Sequence, residues 1–353
     1  MGGVKRDPYT GERPKAETND EAGESGLDML LDRKINGAAL DAEIFDPLHY
    51  QIDRLVPEGL GMLVAPPKKG KSFLVLDFGL AVADGTKALC SIPVTKRPVL
   101  YLALEDGKRR LQSRSRMLLE DDSIPDGIDF VTHAKPAEAM MIIEAFMSEH
   151  HDEKPFVIVD TLAKVKRRKA PGEEAYMVDY ETGERLHKLT QIASGSTLLV
   201  VHHSRKAETT DFIDAASGTY GLVGSVDFIL VLKRERLSDN AILSVTGRDV
   251  IEGEYALRAD RGFMWRLDGD DLKAAADAVE QRRAEDKMSD RKYEVYEYVC
   301  NQADPVSPAD VAQALALDGD TAGKYLRRLV ADGVVVKAHR GKYMRNPRVV
   351  PLK

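Results

Sequence analysis

The chain has 353 residues, 43% apolar and 31% charged, with a net charge of −7, long for one core and suited to two modules. No apolar run approaches the length of a membrane span, and the opening MGGVKRDPYTGERPKAETNDEAGESG has no apolar stretch of the secretory kind. Cys90 and Cys300 are distant and form no CxxC pair, which excludes a disulfide framework or zinc site and makes a cytoplasmic location the expectation.

Residues 1–35 are polar and rich in Gly, Pro, Asp and Glu, the composition of a disordered arm. Residues 36–268 are expected to form one α/β domain. The runs 61–65, 98–104, 155–160, 196–203 and 226–234 are short, β-branched and unbroken, as in strands buried on both faces of a parallel sheet. Between them, 72–83, 105–119, 136–150 and 173–193 have helical spacing, so the alternation predicts a mostly parallel sheet with crossover helices. Segments 241–247 and 263–269 read as later, antiparallel strands.

Residues 269–289 are charged and Ala-rich and predict a helical linker. Residues 290–347 change character. Apolar helical spacing over 291–300 comes first, then Ser307-Pro308 as the start signal of a helix over 307–315. A third helix is expected over 320–333, with an Asp start and a Gly stop, and a hairpin over 334–345 turning near Arg340-Gly341. Three helices and a basic hairpin describe a small winged-helix domain, followed by a tail, 348–353.

The most specific motif is Ala65-Pro66-Pro67-Lys68-Lys69-Gly70-Lys71-Ser72, between a predicted strand and a helix that opens with Ser72-Phe73. This is the strand–loop–helix setting of a phosphate-binding P-loop. Backbone N–H groups there favour a triphosphate. Lys71 is expected on the β- and γ-phosphates and Ser72 on Mg²⁺, so ATP and Mg²⁺ are the expected cofactors. One position departs from GxxxxGK[ST]: the first Gly is Ala65. A positive φ there would cost about 1 kcal/mol.

Asp160 ends the strand 155–160 and is expected to hold Mg²⁺; the alternative is a cap for the following helix. Glu105-Asp106 ends another strand. Glu105 there orients or deprotonates the attacking water or suits a helix first turn, and Asp106 is read mainly as a helix cap. His202 and His203 end the 196–203 strand, where a polar side chain senses the γ-phosphate or is a satisfied core histidine or metal ligand. Adjacent strand residues point to opposite faces, so the two do not share one metal.

The motifs VPEGLGMLVAPPKKGKS, VLYLALEDG, FVIVDTLAKV and LLVVHHSRK, in that order over about Leu48 to Leu267, resemble the RecA-like AAA ATPases typified by the hexameric plasmid helicase RepA, relatives of the DnaB replicative helicases. The resemblance implies a RecA-like P-loop fold and a hexameric ring of ATP-driven subunits on DNA. It implies Glu105 as the catalytic carboxylate and His203, with His202 beside it, as the phosphate sensor. It places Arg114, nine residues after Glu105, in the site and matches Arg248 best to an arginine finger given to a neighbouring subunit. Members often carry Arg-Gly-Ser before the last core strand; this chain has Ser217-Gly218-Thr219.

In such rings the loops after the Asp160 and His203 strands face a central channel for single-stranded DNA. Here they are Lys164 to Lys169, five basic residues in six including Lys166, Arg167 and Arg168, and the segment with Arg205 and Lys206. Neither loop contains an aromatic residue. From Thr321 to Lys353 there are nine Lys or Arg and one Asp. Lys324, Arg327 and Arg328 fall on the third C-terminal helix and Arg340 and Lys342 on the hairpin, where duplex DNA is the expected partner; a protein–protein winged helix is the other reading.

Overall fold

The structure, a computed structural model, describes residues 34–203, 220–234, 238–286, 290–347 and 349. The expected disordered arm therefore lies, up to residue 33, outside the described residues. The chain divides into two compact units, Met1–Pro47 and Leu48–Lys353. In the first, helix α1 (Gly37–Asp41) is capped by Asn36, whose side chain accepts from the Ala38 N–H at 2.9 Å.

The strands of the second unit are β1 (Tyr50–Ile52), β2 (Val56–Pro57), β3 (Gly59–Ala65), β4 (Lys87–Ala88), β5 (Ile92–Pro93), β6 (Val99–Ala103), β7 (Ile128–Val131), β8 (Phe156–Asp160), β9 (Thr197–His203), β10 (Phe228–Arg234), β11 (Asn240–Gly247), β12 (Gly253–Asp260), β13 (Met264–Leu267), β14 (Val335–His339) and β15 (Lys342–Arg345). Its helices are α2 (Lys71–Asp84), α3 (Lys108–Leu118), α4 (Pro136–Glu149), α5 (Leu162–Val165), α6 (Ala175–Thr190), α7 (Tyr220–Val223), α8 (Leu272–Asp286), α9 (Asp290–Cys300), α10 (Pro308–Ala314) and α11 (Gly319–Ala331).

One nine-stranded sheet runs β13-β12-β11-β10-β3-β9-β8-β6-β7. The strands from β10 to β7 pair in parallel; β11, β12 and β13 add an antiparallel edge. The core is thus α/β with a mostly parallel central sheet. Two strands of this sheet, β7 and β12, were not expected from the sequence. IDFV is only partly buried and GEYALRAD carries charge, so neither shows the unbroken apolar run that marks a central parallel strand.

The parallel strands alternate between two cores. Leu63, Tyr101, Ile158, Val201 and Leu230 face a layer with α2 and Trp265; Met62, Leu102, Val157, Val200 and Val231 face one with α4 and α6. This period of two explains why central strands read as continuous apolar runs: both faces are covered. At Gly61 the packing leaves no room for a side chain, because a Cβ there would lie 2.0 Å from the Phe228 ring. Gly61→Ala is therefore expected to lower stability by about 1–3 kcal/mol, read as a shifted urea midpoint. An unchanged midpoint would contradict this packing.

In the C-terminal segment α9, α10, α11 and the β14–β15 hairpin share a separate hydrophobic cluster, including Tyr296, Val311, Leu326, Leu329, Val335 and Tyr343. Ser307 caps α10 in a reciprocal capping box with Asp310. Asp318, not Asp320, caps α11, accepting from the Thr321 N–H at 2.9 Å. Gly341 has φ +74 at the hairpin turn and Gly333 φ +77 just past α11, conformations that favour glycine. Among the described residues no helix is long and apolar enough to cross a membrane.

Candidate active site

The parallel register aligns the C-terminal ends of the strands: Ala65 pairs with His203, and Ala103 with Asp160. The loop Pro66–Gly70 leaves that edge from β3 and enters α2 at Lys71. Ala65 is the last residue of β3 and keeps a negative φ; the positive values fall at Lys68 (φ 63) and Gly70 (φ 93). Ala in place of the first motif glycine therefore carries no backbone penalty here. Gly70 is constrained twice, since a Cβ would meet the Trp265 ring at 2.8 Å, and the Trp265 indole N–H donates to the Gly70 carbonyl at 3.1 Å.

Lys71 is buried, and its ammonium donates to the Ala65 and Pro66 carbonyls at 2.7 and 2.8 Å. Burial pulls its pKa down to about 8 against the opposing pull of Asp160 and Glu105. Asp160, also buried, accepts from the Tyr101 hydroxyl at 3.1 Å and from Ser72. Burial raises its pKa while those two hydrogen bonds hold it down. Among the described residues no group of three or more His, Cys, Asp or Glu could hold a metal unaided. The Ser72 hydroxyl and Asp160 carboxylate are adjoining hard oxygen donors, a set that fits Mg²⁺ shared with substrate phosphates.

Glu105 lies just past β6. It accepts from the Thr161 hydroxyl at 3.3 Å, and His203 Nε2 stands 3.7 Å from its other oxygen. Glu105 is 45% exposed at its side chain, open to water. His203 Nδ1 is buried with no hydrogen-bond partner among the described residues. The two histidines diverge, as the strand period requires. His203 turns to Glu105, whereas the surroundings of His202 include Lys166 and Asp179. Lys71 of the loop also acts on His202, so His202 is brought to the loop lysine and not to Glu105.

Asp106 departs from its expected role. The N-cap of α3 is Gly107, and Asp106 instead binds Arg114 and, at 3.1 Å, Arg110. Two guanidiniums one helical turn apart offer a carboxylate more than a single N–H would. Arg114 also lies over the Phe73 ring at 5.1 Å, and Phe73 packs on Phe263 with centroids 5.3 Å apart. Phe73 is thereby engaged by protein groups. A cleft of about 150 Å³ gathers Ser72, Glu105, Asp106, Arg110, Arg114 and Asp160.

Arg110, Tyr101, Thr161 and Trp265 were not singled out from the sequence. Arg110 had a signal, its i, i+4 spacing from both Asp106 and Arg114. Trp265 had none, because it meets Gly70 across 195 positions of chain.

Arg248 is not brought to this cleft. It follows β11, whose last residue pairs with Phe228 at the start of β10, so it lies at the opposite edge of the sheet from the loop. There it donates to the Gly224 carbonyl at 2.9 Å and stands 3.8 Å from Asp227, with its side chain 62% exposed.

The basic loop after β8 is less free than its composition suggests. Lys166 is paired with Asp179, and Arg167 with Glu173 and Glu181. Lys164, Arg168 and Lys169 remain exposed. Arg205, Lys206 and Ser217-Gly218-Thr219 lie outside the described residues. On α11, Lys324, Arg327 and Arg328 are exposed opposite buried Ala322, Leu326 and Leu329. Arg340 is exposed at the hairpin turn, whereas Lys342 is drawn onto Asp310 at 2.9 Å.

Two histidines set an acid limit on the fold. Burial, with nearby cations, lowers the pKa of His49 and of His202 to about 4 from 6.5. Between those values the unfolded chain binds the protons that the folded chain refuses, so these groups lower stability as pH falls from 6.5 toward 4. His49→Gln is expected to flatten that part of the profile, measured as urea midpoints at pH 7 and pH 5. A variant with the wild-type slope would refute the assignment.

Residues 30–209 match the family model described as AAA domain. The chain is also similar to solved structures. These include an ATPase domain (14% identity, 72% of this chain and 100% of that one, TM-score 0.47). A DnaB-like replicative helicase, described with its interactions with primase, is 13% identical over 71% of this chain and 72% of that one, with a TM-score of 0.48. The RadB recombinase is 16% identical over 65% and 96%, with a TM-score of 0.41. No curated protein matches the chain.

Proposed function

This chain belongs to the AAA domain family, and from that premise we propose that it is an ATP-hydrolysing motor or loader working on DNA, a RecA-like helicase relative of the RepA and DnaB type carried by a plasmid, phage or other mobile element. The observation that carries this reading is the convergence of Ser72, Asp160, Glu105 and Arg114 around one cleft at the C-terminal edge of a parallel sheet, with Lys71 buried beside it in the field of Asp160 and Glu105. The strand order supports it: β9 separates the loop strand β3 from the Asp160 strand β8, so its terminal His203 stands between phosphate loop and carboxylates.

In this reading Lys71 releases the Ala65 and Pro66 carbonyls to hold the β- and γ-phosphates. Ser72 and Asp160 would hold Mg²⁺, which when bound would neutralise phosphate charge. Glu105 takes a proton from the attacking water as the new P–O bond forms, and the bond to the β-phosphate oxygen breaks with its electron pair leaving on ADP. Arg114, braced by Asp106, faces the same charge. Arg248 reaches a phosphate only on a neighbouring copy, in a ring read as hexameric.

The DNA surfaces in this reading are Arg168 with its exposed neighbours, the Arg205–Lys206 segment, and a winged helix made of α9, α10, α11 and the β14–β15 hairpin, with Lys324, Arg327, Arg328 and Arg340 outward. Phosphate release measured with and without single- and double-stranded DNA tests it. Stimulation by DNA together with strand displacement is expected; a rate indifferent to DNA would remove the motor. The exposed cationic face of α11 favours a second reading, an ATP-switched DNA-binding regulator. ATP-dependent clustering on duplex without displacement would select it.

A further inference from the structure

The sequence places no aromatic residue in the basic loop after β8, but the fold supplies two beside it. Strand β8 ends at Asp160, α5 follows, and the chain crosses through residues 166–174 to α6 before returning as the parallel strand β9. The first turns of α6 therefore lie at the same sheet edge as the phosphate loop and next to Lys164–Lys169. Tyr176, Met177 and Tyr180 on these turns are 52%, 45% and 43% exposed. The two tyrosine rings are 14° from parallel, with centroids 6.5 Å apart. Large exposed aromatics are costly in water and mark a contact surface when they cluster.

The local charges select the partner. Asp179 is occupied by Lys166, and Glu173 and Glu181 by Arg167. The other exposed charges of the crossover are Lys164, Arg168 and Lys169, three cations against the one exposed carboxylate of Glu174. An aromatic pair beside exposed cations suits a polyanion that carries flat apolar rings along its length. We propose that Tyr176 and Tyr180 form a stacking platform for the bases of a single nucleic-acid strand whose phosphates lie on Lys164, Arg168 and Lys169. Bases paired within a duplex cannot reach such rings, so the platform discriminates unpaired from paired strands without reading sequence. The proposal rests on the reading of this chain as a DNA-associated ATPase.

The test is anisotropy with labelled oligothymidine, the same backbone without bases, and a duplex, using the full chain. The double variant Tyr176→Leu with Tyr180→Leu is expected to bind oligothymidine about tenfold or more weakly and the abasic strand as the wild type does. Tyr→Trp at both positions is expected to keep the affinity. Thermal midpoints separate loss of contact from loss of fold. Equal oligothymidine binding by the Leu variant overturns the platform, as does wild-type binding of the abasic strand as tight as that of oligothymidine. A Leu variant that changes sedimentation but not DNA affinity makes the patch a subunit contact and also overturns it. If the wild type binds only duplex, the platform fails and the DNA-associated reading stands; if it binds no DNA, both fail.

Discussion

Lys71→Ala is expected to reduce ATP hydrolysis by about a hundredfold to a thousandfold, the scale for removing one preorganised charge partner of a transition state. The ammonium is the buried cation nearest the loop, held at 2.7 and 2.8 Å by the Ala65 and Pro66 carbonyls. Burial lowers its pKa to about 8, the direction expected where a charge is held against a desolvation cost. Anionic phosphates relieve that cost, and alanine offers them nothing. The fold is expected to survive, because alanine removes a desolvated charge. Phosphate release and the thermal midpoint should therefore separate, the first falling steeply and the second holding. Hydrolysis that persists at the wild-type rate would remove the phosphate-binding role of the loop.

Glu105→Gln is expected to lower the turnover rate by about a hundredfold to ten-thousandfold while ATP binding is kept. Glutamine preserves the shape and still accepts the Thr161 hydroxyl, which sits 3.3 Å away, but it cannot take a proton from water. Single-turnover phosphate release measures the chemistry, and equilibrium binding of ATP measures the pocket. A variant that hydrolyses normally would transfer the base role elsewhere. A variant that fails to bind ATP would make Glu105 a binding group. Because His203 lies 3.7 Å from the same carboxylate, its removal under the same two assays tests the sensor role proposed for it.

These two residues were legible in the sequence because their signals are local. Gly70-Lys71-Ser72 sits between an apolar run and a helical one, and Glu105 and Asp160 each stand at the end of an unbroken apolar run. A strand buried on both faces must be apolar throughout, so its polar terminus advertises an edge. The α/β class, the parallel core and the order of the site elements follow from that periodicity alone.

Tertiary structure decided which charges are free to act. Asp106 reads as a cap in sequence but becomes the anchor of Arg110 and Arg114 once α3 turns them back onto it. Lys166 and Arg167 read as free cations but are matched to Asp179, Glu173 and Glu181 across the crossover. Trp265 joins the phosphate loop only because β13 is the far end of an antiparallel edge that folds over α2. Composition states how many charges a segment carries. Their pairing depends on distances of a few ångströms between residues far apart in the chain, which only the packed sheet and its helices set.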